Sequence, residues 1–183
     1  MPFFPSLGDE DKVPHALANF NIGIERPIIE LHQILMRSDD SPFTVAQREL
    51  LAAFVSGTNA CNYCVGAHTA TAVEFGVEEE LVSSLLRNVD TANIDENLKP
   101  IFRFVKKLTL EPTTMVQADA DDVFNAGWSE RALYEAIIIC CTWSFMNRFV
   151  EGLGLNVIPE QFSMEGKMLS AGYDKIFDNF ALR

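Results

Sequence analysis

Apolar residues in this chain recur at the three- and four-residue spacing of an α-helix, and this pattern constrains the fold more than any other feature. In residues 27–36, Ile28, Leu31 and Leu35 fall on one helical face, and Pro27 stands in the first turn. No segment of the sequence shows the sustained alternation, or the valine- and threonine-rich blocks between tight turns, of a β-strand. The sequence therefore predicts an all-α fold.

Capping residues and glycines divide this pattern into separate helices. Thr44 and Gln47 match a capping box, which opens a helix that ends near Gly57. The small polar residues 56–60 precede a second helix, which begins at or just before Cys61 and has Gly76 as its C-cap. Further helices are expected over about 95–110, capped by Asp95, over about 113–126, capped by Thr113 or Thr114, and over about 130–151.

The helix over residues 130–151 is the longest and most apolar, so it should run through the middle of the fold. Cys140 and Cys141 lie inside it, and we interpret both as core cysteines, because nothing near them in the sequence would lower a thiol pKa. Its most apolar part, residues 136–146, is far shorter than the roughly 20 residues that span a bilayer. We therefore expect a buried helix and no membrane association.

The composition indicates one compact domain. The chain has 183 residues, of which 48% are hydrophobic, enough for one well-filled core and too few for two. We expect a single domain over residues 1–183, in which residues 1–12 form an extended arm and residues 172–183 form a mobile tail.

Charge and the first residues limit the partners and the compartment. The formal net charge is -12, which argues against nucleic acid or anionic membrane as a partner, since both bind basic surfaces. Residues 1–11 lack the basic and apolar regions of a secretory signal. We therefore expect a cytoplasmic protein, whose cysteines meet reducing conditions and can cycle between dithiol and disulfide.

The stretch Cys61-Asn62-Tyr63-Cys64-Val65-Gly66-Ala67-His68 contains two of the four cysteines and one of the three histidines. On a helix, Cys64 lies roughly 60° and His68 roughly 20° from Cys61, so the three side chains project from one face. Cys61 would occupy the first turn, where the helix dipole favours a thiolate. His68, one turn beyond Cys64, could take or return a proton.

Glu49 is a candidate fourth member of this site. It lies twelve residues before Cys61, on the preceding helix. If the two helices fold back as a hairpin, its carboxylate can reach the His68 ring. A carboxylate that orients an imidazole beside a sulfur nucleophile follows the logic of nucleophile, base and orienting group.

A bare CxxC is compatible with several chemistries. Redox cycling is one, and inert packing is another. Zinc binding by Cys61, Cys64, His68 and Glu49 is a third. Ordinary structural zinc sites combine two knuckles, and this sequence has no second CxxC or HxxxH. We therefore favour redox chemistry and expect neither a metal nor another cofactor.

Glu49, the Cys61-x-x-Cys64-x-x-x-His68 pattern and the following Gly76 together resemble the alkylhydroperoxidase D-like (AhpD-like) group of the carboxymuconolactone decarboxylase superfamily, especially its peroxidase-related members. The resemblance covers about residues 42–77, and residues 148–154 are similar to a later helix end of the family. It implies an AhpD-like helical domain that assembles into dimers, trimers or hexamers. Decarboxylase members lack the cysteine pair, which argues against lactone decarboxylation here.

The resemblance also assigns roles by position. Cys64 would be the peroxidatic thiolate, Cys61 the resolving thiol, and Glu49 and His68 a proton relay. Well-known members have a histidine between the cysteines where this chain has Tyr63, so part of their relay is absent. Position at the helix start favours Cys61 as the thiolate, whereas the spacing to His68 favours Cys64, so both orders remain open.

We therefore hypothesise an enzyme that reduces alkyl hydroperoxides or hydrogen peroxide, with an external dithiol as reductant. One alternative is a zinc- or partner-binding helical module without catalysis. Another is an oxidoreductase that acts on protein disulfides.

Overall fold

The structure is a computed structural model, and it describes residues 1–176. Its α-helices are α1 (Val13–Phe20), α2 (Glu25–Arg37), α3 (Val45–Thr58), α4 (Asn62–Glu74), α5 (Glu80–Arg87), α6 (Lys99–Leu110), α7 (Gln117–Asn125), α8 (Glu130–Leu153) and α9 (Phe162–Ser170). No strand occurs in this described part of the chain, so the all-α prediction is confirmed. None of the helices over residues 1–176 combines the length and the hydropathy of a bilayer-spanning segment.

α3 and α4 form an antiparallel pair, and α3 also packs against α8, α6 and α5. The start of α3 has the expected capping box, in which Thr44 and Gln47 each accept a hydrogen bond from the other's backbone N–H, at 3.2 and 2.9 Å. Residues 48–56 of α3 are buried on every side. α3 therefore holds Glu49 inside the fold and presents it to α4.

α8 contributes the largest buried side chain, that of Trp143, to the main core. Beside it, Cys140 is buried and its sulfur lies 3.2 Å from the Thr109 hydroxyl. Cys141, however, is exposed, so our interpretation of it as a core residue is wrong. Adjacent helical residues point about 100° apart, so Cys140 and Cys141 lie on different faces. The apolar residues around position 141 give no indication in the sequence that this side of α8 is exposed.

Two helices begin later than the sequence indicates. α7 starts at Gln117, where the Asp119 carboxylate accepts from the backbone N–H of Val116 at 2.8 Å, so neither Thr113 nor Thr114 is the cap. α6 starts at Lys99, after a single 3₁₀ turn that follows Asp95. In both places a short 3₁₀ turn takes up the residues that the sequence pattern places in the helix.

The first twelve residues lie against the C-terminal end of α8. The backbone N–H of Phe3 donates to the carbonyl of Leu153 at 2.9 Å, and Leu7 is buried with Cys61, Cys64 and other apolar residues in a second, smaller cluster. This segment, which we expected to be an extended arm, contains two turns. It covers the side of the fold where α4 begins. Of the expected mobile tail, residues 177–183 lie outside the described residues.

Candidate redox site

A tight turn between α3 and α4 positions the cysteine pair at the start of α4. Ala60 has a φ of 59°, in the left-handed region that residues with a side chain rarely adopt. The turn makes Cys61 the N-cap residue of α4, one position before the first turn, and puts Cys64 inside that turn. Backbone conformations of this kind cluster at functional sites.

Cys61 and Cys64 approach to 3.2 Å and are both free thiols. Both are almost fully buried. A hydrogen bond from the Cys64 side chain lowers the pKa of Cys61, although burial opposes it. The same bond, together with burial, raises the pKa of Cys64 well above its ordinary value. The pair therefore shares a proton unequally, and Cys61 is the sulfur that ionises first.

Two polar side chains of α8 reach the cysteines. The amide of Asn147, which is buried, hydrogen-bonds to Cys64 and also donates to the Ser56 hydroxyl at 3.0 Å. The exposed carboxylate of Glu151 hydrogen-bonds to Cys61. The end of α8 therefore fixes the sulfurs on one side and connects Cys61 to the surface.

Glu49 is completely buried, and both oxygens of its carboxylate accept hydrogen bonds. One oxygen accepts from Nδ1 of His68 at 2.7 Å, and the other accepts from Arg37 at 2.7 Å and from the Tyr173 hydroxyl at 3.2 Å. Burial alone would raise the pKa of Glu49, but the hydrogen bonds from His68 and Arg37 and the charge of Arg37 outweigh it and hold that pKa below its usual value. Glu49 is therefore an anion that orients His68.

His68 uses both ring nitrogens in the resting structure. Nδ1 pairs with Glu49, and Nε2 accepts from the indole N–H of Trp143. An indole N–H can only donate, so Nε2 carries no proton and Nδ1–H donates to the carboxylate. The structure thus brings Glu49 and His68 together and brings Cys61 and Cys64 together. The two ring nitrogens of His68 are hydrogen-bonded to Glu49 and Trp143 and not to a cysteine sulfur.

An apolar cavity of about 270 Å³ connects these groups. Cys64, His68, Tyr63 and Trp143 line its inner wall. Tyr63, which lies between the two cysteines in the sequence, is buried, and this burial raises its pKa. Aliphatic and methionine side chains of α2, α8 and α9 line much of the remaining wall, and a Lys12–Glu165 ion pair of 2.6 Å also lines it. The cavity suits a small, mostly apolar molecule, whose reactive end could reach Cys64.

Sequence reasoning misses five residues of this site: Arg37, Trp143, Asn147, Glu151 and Tyr173. They come from α2, α8 and the segment after α9, far from the CxxC in sequence. Only Asn147 left a signal, as an amide within a long apolar helix. The others look like ordinary helix residues until the fold places them around Glu49, His68 and Cys61.

The arrangement is not that of a metal site. Within residues 1–176, no group of three or more His, Cys, Asp or Glu side chains is placed to hold a metal ion. The ring nitrogens of His68 already have the partners Glu49 and Trp143. The four ligands that we considered for zinc therefore form two separate pairs.

Two solved structures share this fold. One is an uncharacterized peroxidase-related protein from Ralstonia eutropha JMP134, described as an alkylhydroperoxidase AhpD core. Its TM-score is 0.73, with 22% identity, over 83% of this chain and 78% of that chain. The other, an uncharacterized peroxidase-related protein from Silicibacter sp. TM1040, has a TM-score of 0.70 and 23% identity, over 77% of this chain and 73% of that chain. The fold is therefore the AhpD-like helical fold that we expected.

The sequence comparisons find a similarity to one protein family. The model of the carboxymuconolactone decarboxylase family matches residues 25–107, which include α2 to α4 and thus Glu49, both CxxC cysteines and His68. This part of the chain is therefore similar to the carboxymuconolactone decarboxylase family, and the described residues have the AhpD-like fold. Sestrin-2 of Homo sapiens is 25% identical over 133 residues, which make up 71% of this chain and 26% of Sestrin-2. This chain thus spans about a quarter of that relative.

Proposed function

We propose that this protein is a thiol-dependent peroxidase, which reduces hydroperoxides through a dithiol and disulfide cycle of Cys61 and Cys64. One observation carries the proposal: two reduced cysteines lie 3.2 Å apart, and one of them lines an apolar cavity. The peroxidase-related descriptions of both structural neighbours point in the same direction. Such a cycle needs a reducing compartment, for which we propose the cytoplasm.

Cys64 is the sulfur that meets the peroxide, because it lines the cavity. Cys61 is the more acidic thiol, so once the pair has lost one proton, the remaining proton moves from Cys64 to Cys61 as the attack begins. The Cys64 thiolate then attacks the terminal oxygen of the hydroperoxide. The O–O bond breaks, Cys64 becomes a sulfenic acid, and the organic oxygen leaves as an alkoxide. Position in the cavity thus decides the attacker, although Cys61 is the more acidic thiol.

His68 and Glu49 supply the proton for the leaving group. The dithiol pair must first lose one proton, and Nε2 of His68 can accept it once its bond with Trp143 opens. The carboxylate of Glu49 stabilises the resulting imidazolium. The imidazolium then protonates the alkoxide, which leaves as an alcohol. His68 thereby returns to its resting, neutral state.

The cycle closes in two further steps. The Cys61 thiol attacks the sulfenic acid of Cys64, a disulfide forms, and water leaves. An external dithiol then reduces this disulfide by exchange and is itself oxidised to a disulfide. The sulfurs are too deeply buried to meet a disulfide on a folded protein surface, so we rank a protein-disulfide oxidoreductase second.

The size and polarity of the cavity indicate the preferred peroxide. A cavity of about 270 Å³ with a mostly apolar wall gains binding energy from an apolar substituent, whereas hydrogen peroxide has none. We therefore propose an organic hydroperoxide with a bulky apolar group. Cumene hydroperoxide should have a higher kcat/KM than hydrogen peroxide.

Steady-state turnover with cumene hydroperoxide and dithiothreitol tests the proposal. Cys64→Ser should abolish turnover. In Cys61→Ser, the reaction should stop once a sulfenic acid has formed on Cys64, and dimedone should trap this sulfenic acid. Cys141→Ser is the matched control on α8 and should turn over like the wild type. Turnover that persists in Cys64→Ser would refute the proposal. One bound zinc per chain, lost in Cys61→Ser, would favour the metal-binding alternative.

A further inference from the structure

A second histidine, His32, lines the same cavity from α2 and has no part in the proposed cycle. It is almost fully buried, at 6% exposed. Its ring lies against the indole of Trp143, with 5.2 Å between the ring centroids, and the ring of His68 lies against the same indole at 4.9 Å. Since His68 is one helical turn beyond Cys64, the His32 ring lies at the end of the cavity that contains Cys64.

A hydrogen bond to the backbone fixes the tautomer of His32. Its Nδ1 lies 2.6 Å from the carbonyl oxygen of Ile28, and a carbonyl oxygen can only accept, so Nδ1 carries the proton. Burial is the largest cause that lowers the pKa of His32, to about 4, so the ring is neutral at pH 7. Nε2 therefore has a free lone pair, and no residue among 1–176 hydrogen-bonds to it. Within this part of the chain, Nε2 of His32 is a buried acceptor that lacks a donor.

We propose that Nε2 of His32 accepts a hydrogen bond from the O–H group of the hydroperoxide and thereby holds its terminal oxygen beside Cys64. The inference rests on the proposed peroxidase function and adds a substrate-binding residue to it. Of the two imidazoles at this end of the cavity, His68 already accepts from Trp143 in the resting structure, so His32 supplies the acceptor that remains for a ligand. A hydroperoxide has a single O–H donor, which is on the oxygen that the thiolate attacks. One hydrogen bond therefore satisfies the buried acceptor and positions the reacting atom.

This contact defines the class of peroxide that the site accepts. A dialkyl peroxide has the same O–O bond as a hydroperoxide but no O–H donor. It would leave Nε2 of His32 unpaired in an apolar cavity, and a buried acceptor without a partner is costly. A site that hydrogen-bonds its substrate in this way discriminates against an analogue that lacks the donor. We therefore expect the apolar wall to select the organic substituent and His32 to select the hydroperoxide group.

Two matched peroxides test this selection in protein with an unaltered cavity. Methyl cumyl peroxide differs from cumene hydroperoxide by a methyl group in place of the O–H hydrogen. The ratio of their rate constants with free dithiothreitol gives their intrinsic reactivities toward a thiolate. In Cys141→Ser protein, where the exposed thiol no longer competes, we expect the cysteine pair to favour the hydroperoxide about tenfold more than dithiothreitol does, the effect of one hydrogen bond. Equal ratios for the protein and for dithiothreitol would overturn the inference.

Substitutions of His32 in the same background test the contact itself. His32→Phe keeps a ring against Trp143 and removes Nε2, so the rate constant with cumene hydroperoxide should fall about tenfold. Its preference for the hydroperoxide over methyl cumyl peroxide should fall to that of dithiothreitol. His32→Gln has an amide oxygen that accepts hydrogen bonds, and it should recover part of the rate. The control reagent is methyl methanethiosulfonate, which attacks thiolates and has no O–H group, so it should react equally fast with the cysteine pair of His32→Phe and of its parent.

The outcomes separate this inference from the proposed function. If cumene hydroperoxide leaves Cys61 and Cys64 reduced in protein that retains His32, the proposed function fails and the inference fails with it. If the hydroperoxide oxidises the pair and His32→Phe keeps the full rate, only the role of His32 is wrong. Equal slowing of His32→Phe with the hydroperoxide and with methyl methanethiosulfonate would show that His32 only packs in the core, and it would also overturn the inference.

Discussion

The indole N–H of Trp143 donates a hydrogen bond to Nε2 of His68, the one ring nitrogen that Glu49 leaves free. Because an indole can only donate, Nε2 is the acceptor in this bond and the ring proton lies on Nδ1. If His68 took a second proton, two N–H groups would face each other. Trp143 thus sets the resting state of the proposed relay, and the bond must open before His68 can take a proton from the cysteine pair.

A long-range ¹H–¹⁵N NMR spectrum can test this assignment. We expect the wild-type protein to show His68 as the neutral Nδ1–H tautomer at pH 7. A neutral Nε2–H tautomer would contradict the bond with Trp143.

Trp143→Phe removes the donor and leaves Nε2 free. We expect kcat/KM for cumene hydroperoxide to rise at pH 7, because His68 no longer has to break a bond before it accepts a proton. Stability should fall by about 1–3 kcal/mol, from lost packing and an unpaired buried nitrogen. Ile139→Val, also buried on α8, should cost about 0.5–1.5 kcal/mol and leave the rate unchanged. If both variants change the rate equally, core loosening explains the effect.

Glu49→Gln should destabilise the fold and remove part of its acid sensitivity. The pKa of Glu49 is lowered in the folded state, so its contribution is fully present above the unfolded value of about 4.3 and is lost as pH falls below it. The substitution also leaves the buried Arg37 without its anion, which should cost about 3–5 kcal/mol. Urea unfolding between pH 7 and pH 3 measures both effects. An unchanged pH slope below pH 4.5 would contradict this role of Glu49.

His32 should also make stability depend on pH, in a range above the one set by Glu49. Burial is the largest cause that lowers its pKa, to about 4. The unfolded chain therefore takes up a proton at pH values where the folded chain does not, so stability is fully present above pH 6.5 and falls between pH 6.5 and pH 4. The total loss is about 3 kcal/mol. His32→Leu should remove this slope, whereas His15→Leu should keep it. A wild type equally stable at pH 7 and pH 4.5 would contradict the prediction.

The contact between α4 and α9 depends on Gly166. A Cβ at this position would lie 2.7 Å from the backbone of Ala70, which cannot move aside as a side chain can. We expect Gly166→Ala to destabilise the protein by about 1–3 kcal/mol, despite the better helix propensity of alanine. Gly152→Ala is the matched control, because its Cβ meets no atom within 4 Å, and it should stabilise α8 by about 0.5–1 kcal/mol. Equal melting temperatures of the two variants would contradict this packing.

Local patterns in the sequence predict the helices well and the site only in part. The capping box at Thr44 and the apolar spacing predict α3. The small polar residues before Cys61 predict the start of α4, which begins one residue after Cys61. Both predictions succeed because capping signals act over only a few residues. Two features depend on tertiary packing: the bond from Trp143 that occupies His68, and the exposure of Cys141. No local spacing encodes either feature, since each is set by which face of α8 the rest of the fold covers.

The most direct test of the central claim uses Cys141→Ser protein, in which the exposed thiol is gone. After one equivalent of cumene hydroperoxide and denaturation under acid, the intact mass should fall by two hydrogen atoms, and peptide mapping should join Cys61 to Cys64. Cys64→Ser in the same background should show no such loss. If Cys61 and Cys64 both remain thiols in excess hydroperoxide, the redox account of this site is wrong.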